Sequence, residues 1–111
     1  MNKTGIMRQG DVILIPCSDK EVTSNHRAVP NKNGRIVLAE GEVTGHFHAI
    51  HRFGPATTLL RAEGISDRVL TVDVDAMLDH DEHGSIALGP GNYIVRIQRE
   101  WSGEDERQVQ D

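Results

Sequence analysis

The sequence predicts a small all-β domain, built as a barrel or a sandwich with little helix. Three observations point there. Valine and isoleucine together number 19 against 10 for leucine plus methionine, and β-branched side chains suit a pleated, half-buried surface better than a helix. Eleven glycines are spread along the 111 residues and read as turn punctuation between short strands. One Trp, one Tyr and two Phe leave the core to be built from aliphatic side chains. A chain of this length makes one domain, expected over residues 1–101, with a polar, acidic tail over 102–111.

The elements follow in order. Residues 1 to 10 are polar and are expected to be loose. Val12-Ile13-Leu14-Ile15 is a continuous apolar run closed by Pro16, as in a strand covered on both faces. Ser18 to Gly34 carries Asp, Lys, Ser, Asn and Pro30 and reads as a loop. Arg35-Ile36-Val37-Leu38 gives a second strand, ended by Glu40-Gly41-Glu42. A mixed segment from Val43 to Phe53 stops at Gly54-Pro55, and Thr57 to Arg61 is another short strand. Arg68 to Val74 alternates, with Leu70, Val72 and Val74 predicted on one face. Ala76-Met77-Leu78 admits a turn of helix near Asp75 to His83. Ser85 to Leu88 is short and apolar, Gly89-Pro90-Gly91-Asn92 is a turn, and Tyr93 to Trp101 alternates as the last strand.

Several functions are excluded by composition. A net charge of −5 with no clustered Lys/Arg surface argues against nucleic-acid binding. The single cysteine, Cys17, rules out an internal disulfide and fits a reducing compartment. No apolar run approaches the length of a membrane span and no signal-like segment is present, so a soluble cytoplasmic protein is expected. There is no phosphate-cradling glycine loop and no serine nucleophile elbow.

Histidine carries the chemical signal. Five of the six histidines fall in Gly45-His46-Phe47-His48-Ala49-Ile50-His51 and Asp79-His80-Asp81-Glu82-His83-Gly84. On a strand, His46 and His48 share a face about 7 Å apart, while His51 has the opposite parity unless a bulge intervenes. His80 and His83, three apart, converge in a tight turn that Gly84 supports. His46, His48, His80 and His83 are therefore the candidate ligands of one divalent transition metal: Zn, Ni, Fe or Mn. A closed tetrahedron would be structural; a larger coordination number would leave room for a small-molecule substrate. Glu40 and Glu42 flank the first cluster and are the candidate proton carriers.

The glycine-led His-x-His followed by Leu88-Gly89-Pro90-Gly91-Asn92-Tyr93 resembles the two-part motif of cupins. That likeness implies a double-stranded barrel binding Fe, Mn, Ni or Zn through two histidines and a glutamate of the first motif and a histidine of the second. Here Gly41 stands one residue nearer His46 than in cupins, no glutamate follows His48 at the expected distance, and Tyr93 replaces the second-motif histidine. His51 or the His80/His83 pair would have to supply those ligands. The chain also resembles a family of small uncharacterised bacterial and phage proteins in Gln9-Gly10-Asp11-Val12, in Leu38 to His46 with His48, in His80-Asp81-Glu82-His83-Gly84, and in Tyr93 followed by Gln98-Arg99-Glu100-Trp101. No reaction follows from that likeness. The readings left open are a metal-binding protein, with or without catalysis, a metal-free module that binds a ligand or protein partner and is homo-oligomeric, and a pH-responsive regulator.

Overall fold

A computed structural model describes residues 5–40 and 46–98. The chain forms ten strands: β1 (Met7–Gln9), β2 (Val12–Cys17), β3 (Arg27–Ala28), β4 (Ile36–Glu40), β5 (Phe47–Phe53), β6 (Thr58–Ala62), β7 (Ile65–Val72), β8 (Ala76–Asp79), β9 (Ile86–Leu88) and β10 (Gly91–Ile97). They make two antiparallel sheets, β1-β2-β10-β7-β6-β3 and β4-β5-β8-β9. The sheets stack face to face as a sandwich and do not join into a closed barrel. Among the described residues the one helical piece is a single 3₁₀ turn at Asp19–Glu21, capped by the Ser18 hydroxyl.

Alternation along the strands builds the core. Val12, Leu14, Leu59, Leu70, Val72, Tyr93 and Val95 from the larger sheet meet Ile36, Leu38, Ile50, Ala76, Leu78 and Leu88 from the smaller one. The other face of the larger sheet is mixed, with one apolar row beside the Arg96–Asp67 ion pair. The cross-strand row Ile15, Ile94, Val69 and Leu60 lies there, which is why Val12 to Ile15 reads as an unbroken apolar run.

Four expectations are corrected. The first ten residues are not all loose, because β1 pairs with β2 through the two-residue turn Gly10-Asp11. Gly10 has φ +58°, and a left-handed glycine at the first central position is what such a hairpin turn favours. Pro16 does not close β2, which runs on to Cys17 against β10. Since β1 covers only Val12 to Leu14, Pro16 adjoins an unpaired flank where a missing N–H costs nothing. Ala76 to Asp79 is a strand, not a helical turn, because pairing with β5 and β9 outweighs local helix propensity. Val74 lies past the end of β7 and is 56% exposed, not on the core face. The expectations placed on Gly41, Glu42, Gly45, Arg99 to Trp101 and the acidic tail lie outside the described residues.

Candidate functional site at one end of the sandwich

The two histidine segments meet. His46 immediately precedes β5, His48 is its second residue, and the β8–β9 loop carries His80 and His83. His80 is the hub, with its ring centre 4.2 Å from His48, 4.6 Å from His83 and 5.6 Å from His46. His48 and His83 lie 6.0 Å apart with nearly parallel rings. Four imidazoles separated by some thirty residues of chain thus share one corner of the molecule.

The larger sheet reaches this corner through Gln9, which is 2% exposed. Its side-chain amide donates to the carbonyls of Leu78 (3.1 Å) and Gly84 (2.9 Å). Its carbonyl, Oε1, lies 2.8 Å from His48 Nδ1. Because the amide nitrogen is committed to two acceptors, Oε1 can only accept, so His48 carries its proton on Nδ1. The lone pair of His48 Nε2 is left for another partner. One glutamine therefore fixes a histidine tautomer and ties β8 and the loop after it to the opposite sheet. Sequence reasoning assigned Gln9 no role; its only signal was a place in the Gln9-Gly10-Asp11 segment.

A bulge in β4 shapes the other flank. The register with β5 shifts between Val37 and Ala39, after which Ala39 pairs with His48. The carbonyl of the bulged residue, Leu38, accepts from Arg68 Nη2 at 2.6 Å. Burial lowers the pKa of Arg68, and among the described residues no carboxylate is paired with it. Arg68 thus props the bulge from across the sandwich.

Two of the four imidazoles resist protonation. Burial, then the neighbouring His80 and His83, pushes the pKa of His48 down to about 4, with Asp11 opposing. Burial, His83 and His46 lower that of His80 too, against Asp81 and Glu82. His48 is therefore neutral near pH 7, as a ligand must be. His46 lies 3.7 Å from Asp81 and 3.6 Å from Glu82.

His80 is oriented differently from His48. Its Nδ1 accepts from the backbone N–H of Glu82 at 3.0 Å, so in the neutral ring the proton sits on Nε2. A ligand role for His80 requires its ring to turn away from that N–H. Among the described residues no three His, Cys, Asp or Glu side chains stand ready-made to hold a metal ion.

The other candidates are dispersed. Glu40 pairs with Lys32 Nζ at 2.6 Å and lies opposite Phe47 in the β4–β5 register, on the face that His48 does not share. Glu42 lies outside the described residues. A bulge does occur in β5, between Ile50 and Arg52, but it returns Phe53 to the core and leaves His51 exposed on the outer face. His26 hydrogen-bonds Thr23 within its own turn. Cys17 borders a cavity of about 490 Å³ away from the hairpin tip, with Met7, Pro16 and Tyr93, and burial raises its thiol pKa, which suits an inert thiol.

Gly10 tests how tightly the corner is packed. A Cβ there would come within 2.9 Å of His83 Nε2 and 3.1 Å of His48 Cε1, on a backbone at φ +58° that other residues avoid. Gly10→Ala is expected to lower stability by about 1–2 kcal/mol and to shift the His48 and His83 ring signals in NMR spectra. Unmoved ring signals would show that the hairpin tip does not bear on the cluster.

An antiparallel β-sandwich with an imidazole cluster at the corner where Gln9 links its two sheets is the class of protein that fold and site define. The chain belongs to the family of a domain of unknown function, DUF8820, whose model matches residues 8–98. That span takes in Gln9, Gly10 and all four clustered histidines. Neither curated proteins nor solved structures gave a match. No helix among the described residues is long and apolar enough to cross a membrane.

Proposed function

We propose that this protein binds one divalent transition metal in the corner formed by His46, His48, His80 and His83. The observation that carries the reading is the Gln9–His48 bond, which leaves Nε2 unprotonated on a buried ring that belongs to a cluster of four imidazoles. Orienting a ligating imidazole through its other nitrogen is a common device of metal sites. His83 and His46, on a loop and at a strand start, complete a ligand set with His48 by side-chain rotation; His80 joins once its ring leaves the Glu82 N–H. The two-segment histidine set is the respect in which the chain is cupin-like. All-imidazole ligation suits Zn, Ni, Fe(II) or Mn, and the bound ion would supply Lewis-acid chemistry.

Catalysis on a small molecule is the extension of this reading. Glu42 would serve as proton carrier, since Glu40 is paired with Lys32 on the face that His48 does not share. Untagged protein titrated with zinc or nickel should take up one ion per chain. The melting midpoint should rise, with a gain of about 2.7 kcal/mol when free metal is a hundredfold above Kd, and chelator should reverse it. His48→Ala should abolish the response and His26→Ala should keep it. The metal-free module draws its support from the commitment of His80 Nδ1 to Glu82; a midpoint indifferent to metal and to chelator would favour it.

A further inference from the structure

Beside the histidine corner, the smaller sheet carries a groove of about 150 Å³ lined by Arg35, Phe47, His51, Asp79, His80 and Asp81. The Arg35 guanidinium lies over the Phe47 ring at 4.5 Å, and its Nε faces the Lys32 carbonyl at 3.5 Å. This positive group is held in place and, among the described residues, has no carboxylate partner. Asp79 and Asp81 line the same groove. The Asp79 carboxylate accepts from the Ser85 hydroxyl, and neither aspartate forms an ion pair with Arg35. Opposite charges therefore line one small space with no ion pair between them. His80 belongs both to this groove and to the imidazole cluster.

We propose that the groove binds a small zwitterion of the α-amino-acid type, its carboxylate on Arg35 and its ammonium group between Asp79 and Asp81. A guanidinium braced by an aromatic face is suited to a planar carboxylate. The paired aspartates supply acceptors for an ammonium group, which has donors only. A groove of about 150 Å³ suits a small ligand, and glycine is the smallest of this class. That this ligand is what the metal centre acts on rests on the reading above; its binding does not, because Arg35, Phe47, His51 and Asp79 stand outside the ligand set.

The test is an NMR titration of chelator-treated, isotope-labelled protein with glycine, acetate and methylamine. Glycine should shift the Arg35, His51 and Asp79 signals saturably, and each single-charge probe should bind more weakly. Arg35→Gln and Asp79→Asn, both near the surface, should each weaken glycine by about tenfold, the loss of one charge-assisted contact. Absence of saturable shifts would overturn the proposal, as would acetate binding as tightly as glycine or an unaltered affinity in Arg35→Gln. Zinc uptake without a glycine response removes the groove alone; a glycine response without zinc uptake leaves it standing and removes the metal centre.

Discussion

Replacing Gln9 by leucine is expected to be the most damaging single change near the site. Leucine fills a similar volume, so packing is largely kept, while three hydrogen bonds disappear together. The carbonyls of Leu78 and Gly84 lose their donor, and the Nδ1–H of His48 loses its acceptor. A buried polar group left unsatisfied costs about 1–3 kcal/mol, so the loss should be about 3 kcal/mol or more. At about 4–8 °C per kcal/mol for a domain near this size, the thermal midpoint should fall by more than ten degrees. Metal uptake should fall as well, since the imidazole is freed to adopt the wrong tautomer. Gln9→Glu separates the two roles. Its carboxylate still accepts from His48 but faces two carbonyl oxygens, so it should weaken the tie to Leu78 and Gly84 and raise the His48 pKa. A leucine variant that melts with the wild type would show that this amide does not bridge the sheets.

The second large effect is acid lability set by His48. Its folded-state pKa lies near 4 against 6.5 for the free side chain. The folded protein therefore resists a proton that the unfolded chain accepts. Between those two values the unfolded state binds more protons, so stability climbs as pH rises through the window. It is fully present above pH 6.5 and is lost as pH falls towards 4. The side chain is 8% exposed, and the full shift corresponds to about 3 kcal/mol as an upper figure. His80, shifted in the same direction, steepens the slope. Denaturant melts across this range should give a falling ΔG on acidification, flattened in His48→Asn, whose amide can still donate to Gln9. An equal slope in wild type and variant would move the acid sensitivity elsewhere.

Much of the architecture was legible because period-two patterning is local. Ile36 to Leu38, Thr58 to Leu60 and Tyr93 to Ile97 carry their strand identity in their own side chains. The features that escaped depend on neighbours. Nothing in Met7-Arg8-Gln9 says strand until Val12 to Leu14 lies beside it, and Ala76-Met77-Leu78 is a strand only because β5 and β9 flank it. Choosing a sandwich over a barrel depends on which edges pair, which no short window contains.

The site divides in the same way. Spacing nominated His46, His48, His80 and His83, and these are the rings that meet. The parity argument kept His51 apart, and it stays apart although a bulge lies beside it. Spacing could not nominate Gln9, because an amide 39 residues before its imidazole partner has no pattern to announce it. Nor could it foresee that Glu40 would engage Lys32, or that the Glu82 N–H would occupy one nitrogen of His80.

The bond from Gln9 to Gly84 spans 75 positions of the chain, and that distance orders events during folding. Contacts between remote segments form late, because the entropy of closing the intervening loop must be met first. The hairpin ending at Gly10-Asp11 can zip early, yet His48 receives its acceptor only after both sheets have docked. A nascent or partly folded chain is thus expected to hold its imidazoles as separate, solvated groups, with the corner assembled as one of the final steps of maturation.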